Sequence, residues 1–329
     1  MPERFLVTDL LILADAGGSI GLGHLMRCLA IKNQWSYGTA QLLVDMVDSD
    51  LAPVGAESVD WFKSPNKLEE FRKRDTILLV DSYRPDADYF WLLKKLFSVV
   101  VVFDDYNRVS YPVDLLICPG VYGKEMDYSN QPALVKGGPE YVILRSEILA
   151  QKPIVINKTI QKVFVTFGGS QRSESLFQRS IDVIEDAGCQ AVVVTGNDQL
   201  GAELQKRSSQ VFGRVESGKM AEIMASADIA VSAAGQTLNE LSWLGVPTFS
   251  IETGSDQHEN WEYYRRQKLS LAAFLISDSS WTSSLRSILD SETYQRRVAL
   301  AERLKNLFTL TGALYICRLI NQLKGTPDE

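Results

Sequence analysis

Histidine is scarce in this 329-residue chain, and one of its two histidines stands where proton transfer could take place. His24 closes the run Asp15-Ala16-Gly17-Gly18-Ser19-Ile20-Gly21-Leu22-Gly23-His24, which follows an apolar stretch and leads into a helix-like segment, residues 25–34. Glycines such as Gly21 and Gly23 let the backbone approach a ligand closely, and a helix start offers unpaired N–H groups to an anion. A histidine in that position titrates near neutrality and can act as a general base. The alternative is a histidine that caps the first helical turn. The run lacks the third glycine of a dinucleotide fingerprint, so it names no cofactor by itself.

Four more clusters have chemical potential. Asp81-Ser82-Tyr83 and Asp104-Asp105 each follow a short apolar run, where a carboxylate can orient a base or bind sugar hydroxyls. Each could equally cap the next turn or helix. With Asp15 there are acidic clusters at three corresponding positions, which favours the chemical role. Phe167-Gly168-Gly169-Ser170 is suited to holding a pyrophosphate on backbone amides, an ordinary strand–helix turn being the alternative. Ala234-Gly235-Gln236-Thr237 opens another helix, and Glu240 lies one turn inside it, where a carboxylate can take both hydroxyls of a ribose. Gly245-Val246-Pro247 then turns into a strand whose following loop carries Gln257, His258 and Asn260. Gln257 and Asn260 suit further ligand contacts. His258, among acidic neighbours, reads as a solvated loop residue.

The elements that must position these residues are legible as alternation. Apolar runs rich in β-branched residues fall at 10–13, 76–80, 99–103, 163–167, 191–195, 229–232 and 248–251, separated by helix-like segments. Near-continuous apolar strands are expected where helices cover both faces of a parallel sheet. The fold class predicted is α/β, with two Rossmann-like doubly wound domains facing across a cleft. Ligands then bind beyond the strand C-termini, where every cluster named above falls. Polar residues around 151–158 mark the boundary. Residues 1–152 form a sugar-binding and catalytic domain, and 153–329 a nucleotide-binding domain that ends in helices, since Leu300, Leu304, Leu307, Ile316, Leu319, Ile320 and Leu323 recur at helical intervals.

Composition bounds the partners. A formal net charge of −7 argues against nucleic acid, whose phosphates call for clustered Lys and Arg, but leaves room for a small phosphorylated ligand. Cys28, Cys118, Cys189 and Cys317 are scattered with no CxxC spacing, which argues against a disulfide framework or zinc site and for a reducing compartment. The N-terminus lacks the pattern of a signal peptide, and no apolar run is long enough to span a membrane. The expectation is a cytoplasmic enzyme that uses a small-molecule nucleotide sugar, with no metal and no cofactor.

Read together, the clusters resemble known families. Ala234-Gly235-Gln236-Thr237, Glu240 and Gly245-Val246-Pro247, with Gln257 and Asn260 after them, are similar to the nucleotide-binding half of glycosyltransferase-B (GT-B) enzymes such as the peptidoglycan enzyme that adds N-acetylglucosamine to lipid I. Residues 20–28, Asp81-Ser82-Tyr83, Phe103-Asp104-Asp105, Asp127-Tyr128 and Leu144-Arg145 resemble the UDP-sugar hydrolase of pseudaminic acid biosynthesis. That resemblance implies release of UDP from UDP-2,4-diacetamido-2,4,6-trideoxy-β-L-altrose by water attack at C1, with inversion. It implies His24 as the base, Tyr83 and Asp105 near the sugar, Gly168, Gly169 and Ser170 on the phosphates, and Glu240 on the ribose. The alternatives are a GT-B glycosyltransferase, in which His24 deprotonates an acceptor hydroxyl, and a non-catalytic nucleotide-sugar-binding protein.

The chain departs from that hydrolase pattern at several positions. Leu13 stands where the family has arginine, Gln171 and Glu174 where it has aspartate and asparagine, and Cys118 and Gly120 where it tends to carry asparagines. Sugar-facing positions thus differ more than nucleotide-facing ones, so the sugar, and with it the acceptor, is open to difference.

Overall fold

The computed structural model describes residues 8–17, 23–46, 55–73, 75–168, 174–205, 210–308 and 311–324. Among these, the chain forms two parallel sheets. The first contains β1 (Leu10–Ala16), β2 (Ala40–Met46), β3 (Glu57–Ser58), β4 (Ile77–Asp81), β5 (Val99–Phe103), β6 (Leu115–Cys118) and β7 (Leu134–Gly137). Its order is β3-β2-β1-β4-β5-β6-β7, every pairing parallel. Strand succession reverses direction between β1 and β4, which makes their C-terminal ends the switch point where doubly wound sheets bind ligands. The helices α1 (Gly23–Gln34) and α2 (Ala87–Leu96) belong to this sheet. Asp86 caps α2 by accepting a hydrogen bond from the Tyr89 amide at 2.9 Å, and Phe90 and Leu93 turn inward.

The second sheet runs β10-β9-β8-β11-β12-β13, again all parallel. Its strands are β8 (Lys162–Thr166), β9 (Gln190–Val194), β10 (Val211–Phe212), β11 (Ile229–Ala233), β12 (Thr248–Glu252) and β13 (Ala272–Leu275). Here the switch point lies between β8 and β11. The accompanying helices are α3 (Ser146–Leu149), α4 (Glu174–Asp186), α5 (Asp198–Leu204), α6 (Ser217–Ala225), α7 (Gln236–Leu244), α8 (His258–Arg266), α9 (Trp281–Ser291) and α10 (Tyr294–Lys305). Gly245 ends α7 in the left-handed conformation, φ 74°, and its amide donates to the carbonyls of Leu241 and Ser242. That turn releases the chain into β12.

The chain divides into two compact units, one running to Leu144 and resuming at Leu310, the other Arg145–Thr309. Two points differ from the sequence expectation of 1–152 and 153–329. The break falls earlier, because Arg145 and α3 pack on α6 and α7, Ile148 sharing a core with Leu241 and Leu244. The last helix, α11 (Gly312–Gln322), belongs to the first unit. Ala313, Ile316, Cys317 and Ile320 pack with Leu25, Cys28 and Ile31 of α1 against one face of the first sheet. Gly312 permits this docking, since a Cβ there would stand 2.1 Å from the Val142 carbonyl oxygen. Helical periodicity reveals that a C-terminal helix has an apolar face but not which sheet that face will cover. No described helix is long and apolar enough to cross a membrane.

Candidate active site

At the first switch point, Asp15 lies near the end of β1, Asp81 ends β4, and Asp104 and Asp105 follow β5. His24 is the second residue of α1 and is buried. Its Nδ1 lies 2.8 Å from Asp81 Oδ1 and 3.0 Å from the Asp81 carbonyl oxygen. Both neighbours only accept, so Nδ1 carries the proton and donates, and the neutral ring presents Nε2 as its basic nitrogen. Burial opposes charge on the ring, but the Asp81 carboxylate outweighs it and raises the His24 pKa above 6.5.

Asp81 is held in turn. Burial would raise its pKa, but Arg27 and His24 pull it well below the usual carboxylate range. Arg27 sits one helical turn beyond His24 and donates to both oxygens of Asp81, Nε at 2.5 Å and Nη2 at 2.6 Å. The same guanidinium reaches Asp105 at 2.8 and 3.2 Å. Tyr83 donates its hydroxyl to Asp105 and packs edge-on against His24, ring centroids 4.6 Å apart. Burial and the neighbouring Asp105 charge push the Tyr83 phenol up, which keeps it a donor. His24, Asp81, Arg27, Asp105 and Tyr83 therefore form one connected network in which two carboxylates share one guanidinium.

Beside it, Asp15 accepts from Ser82 Oγ and, at 2.5 Å, from Arg84, which also reaches Asp45 at 2.7 Å. Burial raises the Asp15 carboxyl pKa. Arg84 lies over the rings of Phe62 and Trp61, 4.6 and 5.4 Å from their centroids. Asp104 is different from its neighbour. Fully buried, it accepts from the hydroxyls of Tyr111 and Tyr128 and from the Asn107 amide, so it braces the loop after β5 and has no face for a sugar. Asp81 is also fully buried and holds His24, so of the two roles the sequence allowed it, orienting a base or binding sugar hydroxyls, the geometry gives it the first.

Among the family departures, Leu13 is fully buried in β1 and Glu174 is the exposed first residue of α4, where its charge suits the helix terminus. Cys118 ends β6 with its thiol pushed up to about 12 by burial and by Asp105. Gln171, like the expected site residues Gly21, Gly169 and Ser170, lies outside the described residues. Gly23 opens α1, with no atom of the described residues within 4 Å of where a Cβ would stand.

In the second unit Gly168 follows β8 at φ 77°, again with nothing among the described residues within 4 Å of a Cβ. After β11, Ala234 and Gly235 lead into α7, whose first residues are Gln236 and Thr237. Gln257 and Asn260 brace this turn. The Gln257 side-chain oxygen accepts from the Ala234 and Thr253 amides, both at 3.2 Å, and Asn260 donates to the Ala234 carbonyl at 2.8 Å. Glu240 is almost fully buried, and both its oxygens accept from Arg145 at 2.6 Å. His258 is exposed and lies 3.1 Å from Glu252.

Arg84 and Asp45 were absent from the sequence-predicted site, and Arg27 and Arg145, though inside motifs that carry the hydrolase resemblance, had no role assigned there. The available signal was charge balance: carboxylates buried at strand ends require cations, and Arg27 lies on the face of α1 that carries His24.

Two parallel-sheet α/β units with these switch points define the fold of GT-B glycosyltransferases. Residues 162–302 match the glycosyltransferase family 28 C-terminal domain. Among solved structures, Acinetobacter baumannii MurG superposes with a TM-score of 0.65 at 13% identity, covering 96% of this chain and 99% of that one. Phytolacca americana UGT2, in complex with UDP-2-fluoro-glucose and pterostilbene, gives 0.65 at 11% identity, covering 97% and 100%. Among curated relatives, the Bacillus subtilis spore coat polysaccharide biosynthesis protein SpsG is 22% identical over 95% of this chain and 97% of its own length. An uncharacterized protein of Methanocaldococcus jannaschii is 23% identical, over 78% of this chain. The Helicobacter pylori pseudaminic acid cytidylyltransferase and UDP-2,4-diacetamido-2,4,6-trideoxy-β-L-altropyranose hydrolase is 21% identical, over 75% of this chain. Those two matches span only 58% and 44% of the relatives' lengths.

Proposed function

We propose that this chain is a UDP-sugar hydrolase, with a diacetamido-trideoxy sugar as the substrate class, acting in surface-polysaccharide or flagellin-sugar biosynthesis. His24 Nε2 takes a proton from water as the water oxygen attacks the sugar C1. The C1–O bond breaks, and UDP leaves with the bonding electron pair, inverting the anomeric configuration. Tyr83 and Asp105 contact the sugar, while Asp81 and Arg27 hold the base. In the second unit Gly168, Gly169 and Ser170 receive the diphosphate, the positive end of the α7 dipole supports its charge, and Glu240 takes the ribose hydroxyls. No step requires a metal.

The observation that carries this reading is the fixed tautomer of His24: Asp81 holds Nδ1 from two acceptor positions, which leaves Nε2 as the base. The H. pylori relative, whose name includes a UDP-sugar hydrolase, supports the hydrolytic outcome. The family 28 match favours one second reading, a glycosyltransferase in which the same base deprotonates an acceptor hydroxyl.

One assay separates the two. UDP release is followed from a panel of UDP-sugars, including the diacetamido-trideoxy-altrose, in ¹⁸O-water with no acceptor. A hydrolase that cleaves C1–O releases UDP and carries the label in the sugar. Tight UDP binding with no release from any sugar supports the transferase, and label in UDP rejects attack at C1.

A further inference from the structure

The carboxylate proposed to receive the ribose already has a partner. Arg145 Nε donates to Glu240 Oε1 and Nη2 to Oε2, both at 2.6 Å, with the glutamate side chain 2% exposed and the arginine 23%. Arg145 is itself anchored. It is the N-cap residue of α3, its carbonyl accepts the amides of Ile148 and Leu149, and Ile148 is buried against Leu241 and Leu244 of the helix that bears Glu240. The pair therefore joins two packed elements and is not a surface contact between mobile side chains.

An ionised carboxylate has about four acceptor positions, and a bidentate guanidinium uses two of them, one on each oxygen. The two that remain, one per oxygen, match a pair of vicinal hydroxyls. Neutral hydroxyls are poor competitors for the guanidinium, because displacing it leaves a buried anion and a cation each without its partner. A ribose thus binds alongside Arg145, not in its place.

We infer that Arg145 is a positioning residue for the nucleotide: its fork holds the Glu240 carboxylate aimed so that the remaining acceptors take the 2′- and 3′-hydroxyls of a ribose, which makes the site selective for ribonucleotides over 2′-deoxyribonucleotides. This inference rests on Glu240 being the ribose ligand proposed above.

The test is the ratio of Kd values for 2′-deoxy-UDP and UDP, measured calorimetrically on the full chain and on Glu240→Gln, Arg145→Met and Arg145→Lys. Wild type is expected to prefer UDP by at least about tenfold, the value of one hydrogen bond to a charged acceptor. Glu240→Gln and Arg145→Met should both bring the ratio close to one. Arg145→Lys, which keeps the charge but loses the fork, should fall between. A merely structural arginine would weaken both nucleotides equally, so an Arg145→Met ratio equal to wild type overturns the inference while leaving Glu240's role intact. A wild type without preference, or a Glu240→Gln ratio equal to wild type, removes Glu240 as the ribose ligand and the inference with it. Should Arg145→Met lose its cooperative melting transition, Arg145→Lys decides, an unchanged ratio there being the contrary result.

Discussion

With Nδ1 held by Asp81, His24 can exchange a proton only through Nε2, and the behaviour of variants follows from that tautomer. Asp81→Asn places an amide donor beside Nδ1, which favours the proton on Nε2 and removes the base. Turnover should fall by roughly 10²–10⁴ with UDP affinity unchanged, as single-turnover rates and calorimetry would report. Because His24 works as a neutral base, activity rises with pH through its pKa. That pKa is raised, so the acid limb of kcat/KM should lie above 6.5. The Arg27 cation works in the opposite direction, lowering the His24 pKa. Arg27→Met should therefore move the acid limb to higher pH. It also strands two carboxylates, at a cost of about 3–5 kcal/mol in unfolding free energy. A limb that moved to lower pH would contradict the network.

Two helix ends offer a contrast at the level of elements. Gly245 closes α7 at φ 74°, a conformation that costs an alanine roughly 1–2 kcal/mol, so Gly245→Ala should lower denaturant stability by about that amount. Gly23 opens α1 without positive φ, and no described residue crowds its Cβ direction. Gly23→Ala should be neutral or stabilising by about 0.5–1 kcal/mol. It should nevertheless raise KM for the nucleotide sugar if the open end of α1 receives substrate. An unchanged KM would remove that helix start from the site. The strand-end placing of Asp15, Asp81, Asp105, Gly168 and Ala234 was legible in the sequence because short apolar runs stop where these residues begin. Which side chain answers which carboxylate was not. Arg27 meets Asp81 and Asp105 across 54 and 78 residues, and Arg145 meets Glu240 across 95, distances at which local periodicity carries no information. For the same reason Asp104, one residue from Asp105 and of the same type, could not be distinguished from it until Tyr111 and Tyr128 were seen to enclose it.

At the scale of the whole chain, the first unit is discontinuous and depends on a helix supplied by its C-terminal end. Ile316, Cys317 and Ile320 are fully buried against α1 and the first sheet, each isoleucine contributing about 1.5–3 kcal/mol of burial. Ending the chain at Thr309 should abolish or sharply lower the melting transition of the first unit while the second still melts near its original temperature. Loss of both transitions together would show that the units do not fold separately. The two-unit plan also divides the proposed chemistry, with the base in one unit and the nucleotide site in the other.

That division is tested most directly by His24→Ala, assayed for UDP release without an acceptor and for UDP affinity on the same preparation. The account predicts that turnover falls by roughly 10²–10⁴ while the Kd for UDP stays within about twofold of wild type. Undiminished release, or an equal loss of UDP binding, would contradict the assignment of His24 as the base.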